Sequence, residues 1–103
     1  MSRYLLMPVA QEDLAGIRDY YLQEGGPRVA RQMLIEFTEA FRFLARNPGA
    51  GHKREDLAED RPVLFWPMRD YLILYHQDRR PLEILSILRG SRDLPRIIGQ
   101  RDL

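Results

Sequence analysis

The chain has 103 residues, the size of one domain, and its 45% hydrophobic and 30% charged residues suit a folded protein and exclude a disordered one. A net charge of +1 is small for a protein whose own surface neutralises many phosphates, and the absence of cysteine excludes disulfides and thiolate metal sites. No stretch approaches the roughly 18 apolar residues of a membrane span, and the start, Met1 to Pro8, is too short and too weakly charged for a signal peptide. A single domain over 1–103, cytoplasmic and without membrane contact, is therefore expected.

Residues 4–9 read as a short strand closed by Pro8, with a place at a sheet edge because proline cannot donate to a ladder. Residues 10–22 read as a helix. Leu14, Ile17 and Tyr21 recur at helical spacing with Tyr20 widening the stripe, and Glu12 and Asp13 sit in the first turn, where the helix dipole favours acids. Glu24-Gly25-Gly26-Pro27 breaks the chain, and Pro27 suits the first position of a second helix. That helix runs to about Arg46 on the apolar stripe Ala30, Met33, Leu34, Phe37, Phe41 and Leu44, and Asn47-Pro48-Gly49 stops it. Two helices joined so tightly form an antiparallel αα-hairpin.

Residues 49–60 form a charged loop, after which the period changes from helical to alternating. Strands are predicted over 63–66, ended by Pro67, over 71–76, and over 82–88, with turns at Met68-Arg69-Asp70 and at 77–81. Residues 94–100 read as a last short helical turn. The order is β-α-α-β-β-β, an α+β domain with a helical hairpin packed on a four-stranded antiparallel sheet.

The alternation places Tyr71, Ile73 and Tyr75 against Leu72, Leu74 and His76, and Leu82, Ile84 and Leu88 against Leu85 and Ile87. Both faces are apolar, and one helical hairpin covers one face. Either the loop 49–60 and the C-terminal segment cover the other, or a partner does.

Catalytic signals are weak. His52 falls in a loop and His76 at a strand end, with no metal-site spacing. Glu55, Asp56, Glu59 and Asp60 read as a solvated loop, Trp66 as packing and Gly25-Gly26 as a turn. No metal or cofactor is expected. The basic side is nearly all arginine, Lys53 being the one lysine, and Arg89, Arg92, Arg96 and Arg101 give the C-terminal stretch a mild basic bias. Arginine suits planar, bidentate contact with phosphate or carboxylate.

Four motifs in order carry a family resemblance: Ala10 to Ile17 followed by Tyr20-Tyr21; Leu44 to Gly51 followed by Arg54-Glu55-Asp56-Leu57; Tyr71-Leu72-Ile73-Leu74-Tyr75; and Ile84 to Leu94. Over about residues 3–97 the chain resembles the RelE/ParE superfamily of bacterial toxins from type II toxin–antitoxin systems, whose fold agrees with the order read above.

The RelE branch cleaves mRNA on the ribosome, which needs an acid, a base and cations for the phosphate. Arg92 matches that branch's arginine after the last strand. Leu72 stands where an arginine would follow the aromatic of the third strand, and Arg96, Ile97, Ile98 and Gly99 fill the place of its C-terminal tyrosine. The resemblance is therefore closer to the ParE branch, whose members poison DNA gyrase by binding and cause growth arrest. The candidate target contacts of such a poison are the arginines near the end of the sheet, Arg89, Arg92 and Arg96, with Arg69. The resemblance also implies a cognate antitoxin, a ParD-like ribbon-helix-helix protein, through which alone DNA would be met. The antitoxin is expected in the groove between hairpin and sheet and on edge strand 4–9, with Tyr20, Phe37, Phe41 and Phe65 as candidate contacts. The alternatives are a RelE-like ribosome-dependent endoribonuclease and a non-toxic antitoxin-binding co-repressor.

Overall fold

The computed structural model describes residues 3–58, 61–90 and 93–101. In chain order these form β1 (Tyr4–Leu6), α1 (Pro8–Arg46), a 3-10 turn (Pro48–Ala50), α2 (Glu55–Ala58), β2 (Leu64–Met68), β3 (Tyr71–His76), β4 (Leu82–Arg89) and α3 (Leu94–Gln100).

The predicted strand 4–9 is shorter than expected, because Pro8 opens α1 at its first position, where a missing N–H costs nothing. The helical hairpin is present as two arms of α1, residues 8–25 and 27–46, separated by Gly26 at φ 87° and ψ 177°. Only glycine adopts that backbone freely. A Cβ on Gly25 would lie 2.8 Å from the side chain of Val29, so the corner is tight on both sides of the break. Ile17 from the first arm and Met33, Phe37, Phe41 and Leu44 from the second share one core with the sheet.

The sheet order is β1-β4-β3-β2. The β2-β3-β4 meander is antiparallel as expected, but β1 pairs with β4 in parallel, Tyr4 with Leu82 and Leu6 with Ile84, so the sheet is mixed and not fully antiparallel. Chain reversals explain this. The chain turns back at Gly26, and the segment after α1 runs counter to β2, as the antiparallel bridge between His52 and Phe65 shows. It must therefore turn once more before β2, and two hairpins later β4 points the same way as β1. Pro67, expected to end the second strand, lies inside β2. That strand is at the edge, and the backbone groups of Phe65 bond outward to His52, so Pro67, two residues on, also faces away from β3 and needs no donor.

A register shift between β3 and β4 pairs Leu74 with Ser86 but Tyr75 with Ile84, leaving Leu85 extra. It moves Ile87 to the face of Leu82 and Ile84, beneath the hairpin, and Leu88 to the face of Leu85, which reverses the strict alternation read for these two residues. The second face is covered from within the chain: Val63, Phe65, Leu74, Leu85 and Leu88 pack with Leu94 and Ile98 of α3, and Leu57 and Ala58 of α2 lie against them.

Candidate functional site

One end of the sheet gathers the cationic and phenolic side chains. The register sets Tyr71, at the start of β3, opposite Arg89, at the end of β4. The β2–β3 turn holds Arg69 beside them, and Gly90 N–H closes the end on the Asp70 carbonyl at 2.7 Å. The first arm of α1 brings Tyr20 and Tyr21 over this end. The Arg89 guanidinium carbon lies 5.7 Å from the Tyr20 ring centroid, a cation–π distance, and Tyr20 meets Tyr21 edge-on at 5.1 Å. Tyr71 donates to the Tyr21 hydroxyl at 3.4 Å. Burial, then that hydrogen bond, pushes the Tyr71 hydroxyl up to about 12, so it stays protonated at neutral pH.

Arg69 occupies the left-handed region at φ 53°. Its Nε and Nη2 donate to Glu36 Oε1 and Oε2 at 2.5 and 2.8 Å, a bidentate pair that ties the turn to the second arm of α1. These hydrogen bonds hold the Glu36 carboxyl below its ordinary range. The structure thus brings Arg69, Arg89 and Tyr20 to one end. Arg96 does not join them: it is exposed on α3, across the sheet. Arg92 lies outside the described residues.

Of the four candidate antitoxin contacts, Tyr20 is 45% exposed, while Phe37, Phe41 and Phe65 are 0%, 1% and 1% exposed. The phenylalanines offer a docking chain no surface and are corrected to core residues. Phe37 packs on Tyr71 and Phe41 on Tyr4, at 5.5 and 5.3 Å between ring centroids, because the helical stripe that contains them turns inward to the sheet.

The histidines are engaged structurally. The His52 ring stacks on Trp66 at 6.5 Å while its backbone bridges Phe65, and His76 Nδ1 lies 3.1 Å from the Pro62 carbonyl. Tyr75, buried in the core, donates to the Pro48 carbonyl at 2.7 Å and accepts from Gly51 N–H at 2.8 Å. Burial raises its pKa. Among the described residues no cluster of histidine, aspartate and glutamate could hold a metal ion, and no helix is long and apolar enough to cross a membrane.

Two depressions flank the hairpin. One, of about 700 Å³, lies between the second arm and β2, lined by Ala40, Arg42, Phe43, Arg46, Trp66 and Met68. The other, of about 300 Å³, lies beside β1 and is lined by Leu6, Gln11, Leu14, Ala15, Arg18 and Leu34. The two sheet edges differ. His52 occupies the outward groups of Phe65 on β2, and Pro67 has no donor to offer. On β1, Arg3 and Met7 bond toward β4, so Tyr4 and Leu6 face outward, where Gln11 Nε2 donates to the Leu6 carbonyl at 2.8 Å.

A group that the sequence reading missed sits between the faces. Asp13 Oδ2 accepts from Ser86 Oγ at 2.9 Å, Ile87 N–H at 2.9 Å and Arg101 Nη1 at 2.7 Å. Its signal was available: Asp13 stands three residues after buried Ala10 and four before buried Ile17, on the inward face of the helix, where an unpaired acid is not tolerated.

The model of the ParE toxin family, from the parDE type II toxin–antitoxin system, matches residues 4–94. Nine chains of solved structures are similar to this one; among them, a chain of the chromosomal ParDE toxin–antitoxin system from P. aeruginosa aligns with a TM-score of 0.72 at 22% identity, covering 88% of this chain and 98% of that one. At that identity the likeness shows the fold. No curated protein sequence matches.

Proposed function

The chain belongs to the ParE toxin family of type II toxin–antitoxin systems, a membership that implies a cognate antitoxin, and from it we propose that the protein arrests growth by binding DNA gyrase and trapping its cleaved DNA complex. The observation that carries this reading is the commitment of the proton-transfer candidates. His52 and His76 are engaged in stacking and backbone contacts, Tyr75 has both hydroxyl functions satisfied, and the Tyr71 hydroxyl, at about 12, is far from the pH at which it would serve as a base. The cationic end supplies binding: Arg89 on the Tyr20 face, the Arg69 turn, and Arg92, which follows β4 in the sequence, toward acidic protein surface or DNA phosphate.

The antitoxin in this reading is a ParD-like ribbon-helix-helix protein whose tail folds on the toxin, and DNA is met through it. The β1 edge is the better seat for an added strand, since β2 is closed by His52 and Pro67. The depression around Leu14, Ala15 and Leu34 continues from it. Basic Arg18 on its rim suits an acidic tail.

The test is induction without antitoxin in bacterial cells, with growth, DNA breaks and transcript ends read together. Arrest with DNA breaks and intact transcripts is expected. Transcript cleavage would replace the reading by a ribosome-dependent nuclease, and undisturbed growth by a co-repressor.

A further inference from the structure

The guanidinium groups at the cationic end differ in what they have left to give. Arg69 spends its Nε and Nη2 on Glu36. Arg89, exposed at the end of β4, has no carboxylate within ion-pair distance among the described residues. Its partner is the Tyr20 ring, 5.7 Å away, which attracts the cation without taking its N–H donors. That ring is anchored from the core. Tyr20 meets Tyr21 edge-on, Tyr21 accepts from the Tyr71 hydroxyl, and buried Tyr71 packs on Phe37. A charged fork with uncommitted donors is therefore held in place at the surface, and an acceptor that meets it does not have to order it first.

Beside the fork, between the first arm of α1 and β4, lies a depression of about 360 Å³ lined by Gly16, Ile17, Tyr20, Ile87 and Arg89 among others. Gly16 keeps it open: it stands one turn before Tyr20 on the same helix face, and a Cβ there would meet nothing within 4 Å. A carboxylate on Arg89 with an apolar neighbour against the Tyr20 ring matches this site in charge and shape. A nucleic-acid strand does not. It repeats its charge about every 3.4 Å along the axis, and Glu12, one turn before Gly16 in the same depression, would face the next phosphates. We propose that the toxin's protein target docks here through an acidic segment, one carboxylate taking the Arg89 fork and an adjacent apolar side chain covering Tyr20 and Gly16. This rests on the gyrase reading above and names which surface of the toxin meets gyrase and what gyrase presents to it. The proposed antitoxin seat uses the other side of the first arm, at Gln11, Leu14 and Arg18, so the two contacts are separable.

The experiment uses the full chain as wild type, Gly16→Leu, Arg89→Gln and Arg79→Gln. Gly16→Leu fills the depression with a good helix former at an exposed position, and Arg79→Gln removes one exposed charge from the β3–β4 turn at the opposite end of the sheet. Binding to purified gyrase without DNA, to linear DNA alone and to the antitoxin encoded beside it is measured, with the melting temperature of each variant. Wild type should bind DNA-free gyrase. Gly16→Leu and Arg89→Gln should each weaken that binding by about tenfold or more, with antitoxin affinity within about twofold and melting near wild type. Arg79→Gln should bind gyrase within about twofold of wild type. Undiminished gyrase binding by folded Gly16→Leu or Arg89→Gln overturns the proposal, as does an equal loss in Arg79→Gln, which would mark a general charge effect. Losses seen on linear DNA and not on DNA-free gyrase overturn it in favour of a phosphate ligand. If Gly16→Leu fails to fold, Arg89→Gln, whose side chain is exposed, decides alone. A wild-type chain that does not bind gyrase overturns the gyrase reading and this docking role with it. The two failures are distinct, because the first leaves wild type bound to gyrase.

Discussion

The Tyr75 hydroxyl accepts the Gly51 N–H at 2.8 Å, and it reaches that amide because residue 51 has no side chain: a Cβ there would lie 2.6 Å from the same oxygen. With the bond from Tyr75 to the Pro48 carbonyl, one buried phenol pins both ends of the turn that closes α1. Two stretches that look generic in the sequence, Asn47 to Gly51 and Tyr71 to Tyr75, are thus halves of one contact. Tyr75→Phe leaves a backbone donor and an acceptor unpaired and should cost about 1–3 kcal/mol. Gly51→Ala should be destabilising through the clash. Chemical denaturation of both checks this, and a Tyr75→Phe protein as stable as wild type would show that water replaces the phenol.

The hairpin corner makes a sharper prediction. A Cβ on Gly26, at φ 87°, would point into open space, so any penalty there is conformational, whereas at Gly25 it is steric, 2.8 Å from Val29. Gly26→Ala should destabilise by about 1–2 kcal/mol. Gly25→Ala should partly recover when combined with Val29→Gly, which removes the Cβ that is itself 2.8 Å away, while Gly26→Ala should not. Thermal melts of the four variants distinguish the two mechanisms.

The Arg69–Glu36 pair gives a pH dependence. Its hydrogen bonds lower the Glu36 carboxyl, so the folded state binds that proton less readily than the unfolded chain does. The stabilisation is present above the unfolded carboxylate range and is lost as pH falls through the depressed folded value. Arg69→Ala should therefore be less stable than wild type at neutral pH, modestly because Arg69 is exposed, and the two should converge in acid. Urea midpoints across that range test it, and a gap that persists in acid would mean the loss is not electrostatic.

Charge reversal tests the cationic end. Arg89→Glu removes the cation from the Tyr20 face, and Arg92→Glu reverses the arginine that the family resemblance singles out. Arg89 is exposed, so the Arg89→Glu fold should survive while growth arrest is lost. Continued arrest by folded Arg92→Glu and Arg89→Glu proteins would remove this end as the target surface.

Most of the fold was legible because periodicity and breakers act locally. The Gly25-Gly26-Pro27 corner, the meander and the last helix follow from such signals. The direction of β1 was not, since parallel pairing depends on how many times residues 7–81 reverse, which no local pattern encodes. The extra residue Leu85 likewise reassigned Ile87 and Leu88, because a bulge is fixed by pairing between strands and not within one. At the site, Arg69, Arg89 and Tyr20 were readable and do come together. Phe37, Phe41 and Phe65 were misjudged because an apolar stripe looks the same whether it meets a core or a partner. Asp13, Ser86 and Arg101 went unseen as a unit: they are far apart in sequence and meet only across the edge of β4.

The most direct measurement is a gyrase reaction with the purified protein, ATP and supercoiled plasmid, scored for linear DNA after protease treatment. The account predicts linear product that depends on gyrase, on the toxin and on the absence of antitoxin. No linear product from protein shown to be folded and antitoxin-binding would contradict it.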